Sequence, residues 1–124
     1  MATSENFTDE ELRCSHCGEN KMHPDFLERL ERIRKVFGKP MPITSGYRCP
    51  KHPIEARKAR PTSGAHPSGR AVDVGVRGRD AYRLVKVAMM EGIPRIGIKQ
   101  HKGGRFIHLD DAPHLPQPTV WSYS

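Results

Sequence analysis

Arg105-Phe106-Ile107-His108-Leu109-Asp110 has the two-residue period of a β-strand, with Phe106, His108 and Asp110 on one face and Ile107 and Leu109 on the other. One face is fit for a core; the other carries an imidazole and a carboxylate. Arg95 to Lys99 is also strand-like, and Lys102-Gly103-Gly104 between the two predicts a hairpin. Upstream, His66-Pro67-Ser68-Gly69-Arg70-Ala71-Val72-Asp73 runs from a Gly-containing loop into a third strand, where Val72, Val74 and Val76 alternate with Asp73 and Gly75. If this strand pairs with residues 105–110, His108 comes beside Asp73 and His66 arrives from the loop.

The remaining elements follow from local signals. Thr8-Asp9-Glu10-Glu11 has the form of a capping box and predicts a short helical turn. A longer helix follows Pro24, with Phe26, Leu30, Ile33 and Phe37 as its apolar stripe and Gly38 as its stop. Met41 to Ser45 reads as a short strand, which Pro42 confines to an edge or a strand start. Arg48 to Gly69 is rich in Pro, Gly and Ser and reads mostly as loop, with a helical piece around Ile54 to Ala59. A second good helix spans about Arg79 to Glu91, its apolar face being Ala81, Leu84, Val85, Ala88 and Met89. The expectation is one α+β domain over residues 1–124, with helices packed on a small, largely antiparallel sheet.

At 124 residues the chain suits a single core, and no stretch approaches the roughly 20 apolar residues of a membrane span. The formal charge of +7 suits an anionic partner such as nucleic acid or a bacterial wall. It also fits an ordinary solvated helix face, where Glu28/Arg32 and Glu31/Lys35 lie four apart. Nucleic-acid binding lacks an evident recognition helix or aromatic platform, so no nucleic-acid partner is expected. Met1 to Leu12 is acidic and polar, without the basic start and apolar run of a signal peptide. If the protein, made in the cytoplasm, acts outside it, something else must deliver it.

Two histidines and an aspartate are suitable zinc ligands that leave a fourth position for water, and such a site can hydrolyse an amide. On spacing alone, a His-x6-Asp with a distant His, as in His66, Asp73 and His108, is more often coincidence than a metal site. A second pattern, Cys14-x2-Cys17 with Cys49-x2-His52, is compatible with a closed structural zinc site, with a disulfide from Cys49, or with reduced thiols.

Ser45-Gly46-Tyr47-Arg48, His66-x2-Gly69-x-Ala71-x-Asp73, Ile96-Gly97-Ile98, Phe106 to Asp110 and Trp121-Ser122-Tyr123 occur in that order. Together they resemble the zinc family of D-alanyl-D-alanine carboxypeptidases and phage endolysin L-alanyl-D-glutamate peptidases, whose fold is shared with the hedgehog signalling domain. The likeness runs from about Phe7 to Tyr123, is most specific over residues 44–123, leaves 1–22 as an N-terminal turn, and is nearest to short phage and prophage members. It implies a zinc cofactor held by His66, Asp73 and His108, a peptidoglycan peptide as substrate, and a monomer that does not insert into membranes. Arg48 matches the family arginine that steadies the substrate, for which a guanidinium's paired donors are suited. An ordinary loop salt bridge to Glu55 is the alternative.

The family pattern breaks at the general base. Endolysin-type members carry an acidic residue three positions before the last ligand, where this chain has Arg105, and carboxypeptidase-type members a histidine two before it, where it has Phe106. Asp110 is the candidate catalytic carboxylate, about 7 Å along the strand from His108. Equally, it can accept the second ring N–H of a ligating histidine and only orient it. His101 in the hairpin turn is a weaker candidate base, and Asp111 reads as surface. The missing base motivates the competing reading, a zinc-containing binding module of the same fold without turnover.

Overall fold

Residues 3–123 are described by a computed structural model. Its helices are α1 (Asp9–Leu12), α2 (Pro24–Phe37), α3 (Pro53–Ala56) and α4 (Gly78–Met90), and its strands β1 (Ile43–Ser45), β2 (Ala71–Val74), β3 (Arg95–Lys99), β4 (Phe106–Asp110) and β5 (Thr119–Ser122). The α+β fold read from the sequence is the observed one. Thr8 and Glu11 form the reciprocal capping box at α1. Pro24 opens α2 and Gly38, in the left-handed conformation, closes it. The α2 stripe of Phe26, Leu30, Ile33 and Phe37 is buried as expected, joined by Leu27. No helix among the described residues is long and apolar enough to cross a membrane.

Some boundaries and faces differ from the sequence reading. The first strand begins at Ile43 rather than Met41, and it is an edge strand, as Pro42 requires. In α4 the buried set is Ala81, Leu84, Val87 and Ala88, while Met89 is exposed. The helix packs against both α2 and β4, which turns its buried stripe toward Val87. β5 was not anticipated as a strand; it lies parallel to β3 at the far edge of the sheet.

The sheet order is β1-β2-β4-β3-β5, antiparallel except for the β3/β5 pair. Its register creates the site. Ser45, Asp73, His108, Gly97 and Trp121 are consecutive partners, forming one row across all five strands. Alternation sends Val72, Val74, Ile96, Ile107 and Leu109 into the core. Gly97 is required by close approach, since a Cβ there would lie 2.7 Å from the Trp121 indole. The indole in turn packs 5.3 Å from the His108 ring, centroid to centroid.

The loop before β2 depends on Gly69. Its φ is +75°, its carbonyl accepts the His23 N–H, and a Cβ would meet the Lys21 carbonyl oxygen at 2.1 Å. Gly69→Ala therefore combines left-handed strain with a backbone clash and is expected to cost about 2 to 4 kcal/mol of stability. Urea unfolding checks it; a midpoint within error of the parent's would mean the loop relaxes freely.

Candidate metal centre

His66 enters from a 3-10 turn, His66–Ser68, directly before β2, whereas Asp73 and His108 face each other across the β2/β4 ladder. Each is about 5% exposed. Their donor atoms lie within 4.8 Å of one another. His66 Nδ1 is 2.7 Å from the Gly46 carbonyl oxygen, to which it can only donate, so Nε2 keeps its lone pair and points at Asp73 Oδ1 at 3.4 Å. His108 Nδ1 is 2.9 Å from the same Asp73 oxygen, and its Nε2 is 2.6 Å from Asp110 Oδ2. Two imidazoles and a carboxylate, converging and each oriented by a further partner, suit zinc in ligand type and in the support around the ligands.

Charge is shaped by burial and by these bonds. Burial holds the His66 pKa below its ordinary value. At Asp73 burial opposes ionisation, but bonds from His108 and His66 outweigh it and hold the carboxyl far below the usual carboxylate range. Burial would also lower His108, yet Asp110 and Asp73 on either side of the ring reverse the sign and raise it.

Arg48 is engaged within the protein. Its Nε donates to Ser45 Oγ at 3.0 Å, one terminal nitrogen to Glu55 at 2.9 Å and the other to Asp73 Oδ2 at 3.1 Å. The salt bridge to Glu55 posed by the sequence is thus present, together with a bond to the proposed ligand carboxylate. Glu55 is fully buried and also accepts from Lys58 at 2.8 Å.

Asp110 is likewise fully buried and saturated. Besides His108 it accepts from Arg95 Nε at 2.9 and 3.1 Å and from the Ala112 N–H at 3.1 Å. Arg95 also stacks over Trp121, 4.8 Å from the ring. The sequence reading missed Arg95, although hairpin register about residues 102–104 places it opposite Asp110. It also misjudged Asp111, which is buried and clamped by Arg29 at 3.0 Å and Arg70 at 2.7 Å. The turn after β4 drives that side chain inward, where two arginines offset its desolvation.

The three proposed ligands line a cavity of about 740 Å³ whose other walls include Trp121, Tyr123 and Arg60. Asp73 is the only carboxylate in that wall among the described residues, and His101 is not part of it. On the other side of Arg48, the Cys14, Cys17 and Cys49 thiols are gathered within 4.8 Å of one another, all free, with His52 outside the group. Among curated proteins none matches the chain. The model of the Peptidase M15 family matches residues 5–110.

Proposed function

From its membership of the peptidase M15 family, a zinc-dependent family, we propose that this chain hydrolyses a peptide bond in the stems or crosslinks of bacterial peptidoglycan. The observation that carries the reading is the convergence of His66 Nε2, Asp73 Oδ1 and His108 Nδ1 on one wall of an open cavity. Zinc held by these three atoms supplies acidification of water and polarisation of a carbonyl. The net charge of +7 favours a polyanionic wall. Gly46 and Asp110 hold the two imidazoles from behind, and Arg48 holds Asp73.

In this reading Asp110 is a positioning residue rather than the base. Its complete burial and its bonds to Arg95 and Ala112 leave it no free face toward substrate. Asp110→Asn is expected to weaken both zinc affinity and hydrolysis, each about tenfold to a hundredfold. A variant that keeps full zinc affinity while losing about a hundredfold to ten-thousandfold in rate would restore Asp110 as general base.

The binding-module reading is favoured by one observation, that among the described residues no carboxylate besides Asp73 lines the cavity. Incubating the purified protein with peptidoglycan, with and without a chelator, and analysing the muropeptides by mass spectrometry separates the two. New stem-peptide fragments that vanish with chelator and return with zinc support the peptidase. Sedimentation with the wall but no cleavage supports the module.

A further inference from the structure

We propose that Cys14, Cys17 and Cys49 form a second, thiolate-bound zinc site that pins the segment carrying the supports of the first. The spacing of a Cys-x2-Cys turn and a distant third cysteine is given meaning here by the fold. α1 ends against the Ser45 to Cys49 segment, where the Tyr47 N–H donates to the Leu12 carbonyl at 2.8 Å. This brings the three sulfurs within 4.8 Å of one another. Tetrahedral thiolates about 2.3 Å from zinc lie roughly 3.8 Å apart, which that spread accommodates.

The backbone around the sulfurs is arranged for negative charge. The Cys49 N–H points at Cys14 Sγ at 3.3 Å and the His16 N–H at 3.4 Å. The Gly18 N–H closes the turn onto the Cys14 carbonyl at 2.9 Å, and the Cys14 N–H bonds the Glu19 carbonyl at 2.7 Å. Three soft donors select zinc over hard cations such as magnesium. Cys14 and Cys49 are buried while Cys17 is exposed, which gives an ion a route in. His52 spends its Nδ1 on the Ile54 N–H and faces Ser15 with Nε2, so the proposal rests on the three thiolates.

The placement has a consequence for the first site. Between Ser45 and Cys49 lie the Gly46 carbonyl that orients His66 and the Arg48 guanidinium that holds Asp73. An ion on Cys49 fixes the C-terminal end of this segment. An ion held by the three thiolates would thereby stiffen the groups that orient His66 and Asp73.

The test counts metal and reads its ligands, independently of hydrolysis. The His66→Ala/His108→Ala double variant, purified reduced and loaded with zinc, is expected to retain one ion per chain. Cobalt in its place should give the near-ultraviolet thiolate-to-cobalt charge-transfer band, and Cys17→Ser added to the double variant should abolish it. In the unaltered chain, the three thiols should resist alkylation until a chelator is added. Absence of metal from the double variant together with immediate alkylation of the unaltered zinc-loaded chain would overturn the proposal, as would a disulfide in protein prepared under reducing conditions. Because the unaltered chain is read by alkylation, poor folding of the variant leaves the proposal open to refutation, and neither readout depends on the peptidase reading.

Discussion

His66→Ala and His108→Ala are each expected to remove the ion bound at the His66, Asp73 and His108 cluster and to lower hydrolysis of peptidoglycan peptides by more than about a thousandfold. The size follows from the chemistry. Carbonyl polarisation by a bound metal is worth several kcal/mol of transition-state stabilisation, and about 4 kcal/mol is a thousandfold in rate. Two remaining ligands hold zinc poorly, and neither imidazole has a substitute among the described residues, where Asp73 is the only other cluster donor in the cavity wall. Metal analysis should be made on a Cys14→Ser/Cys17→Ser background so that thiolate-bound ions do not mask the loss. Full zinc content and full rate in both histidine variants would defeat the assignment of the centre.

Arg48→Ala is expected to destabilise the fold by about 3 to 5 kcal/mol, because it leaves the fully buried Glu55 with Lys58 as its remaining cation and deprives Asp73 Oδ2 of its donor. Zinc affinity should fall about tenfold to a hundredfold alongside, as when a support behind a metal ligand is lost. Arg48→Lys should recover little. One ammonium cannot reproduce a planar fork that bridges Ser45, Glu55 and Asp73 at once. Chemical denaturation and zinc titration decide the matter. An unchanged unfolding midpoint and unchanged zinc affinity, with only KM raised, would return Arg48 to the substrate-gripping role that the family resemblance implies.

Local grammar made much of this protein legible before any coordinates. The capping box at Thr8, Pro24 and Gly38 around α2, and the alternation in residues 72–76 and 105–110 are short-range signals, and an element formed at each, although β2 runs from Ala71 and stops at Val74. The pairing of Asp73 with His108 was legible as a conditional, because a two-residue period on both strands leaves few ways to bury the valines and Leu109 together. β5 was hidden because it is short, mostly exposed and preceded by Pro113, Pro116 and Pro118; its strand character comes from docking beside β3.

What only the tertiary structure decided concerns groups far apart in the chain and dependent on burial. Whether Asp110 faces a substrate or lies sealed behind His108 turns on Arg95 and the turn at Ala112, which local periodicity does not weigh. Whether Arg48 is free depends on Glu55 and Asp73 reaching it from opposite sides. Whether the thiols meet across the 31 residues separating Cys17 from Cys49 depends on α1 packing against β1. Apart from β5, the sequence by itself determined the elements and the donor types, since these rest on interactions a few residues long. The fold decided which donors are oriented, shielded or already partnered, since hydrogen-bond saturation and desolvation are properties of packed neighbours rather than of spacing.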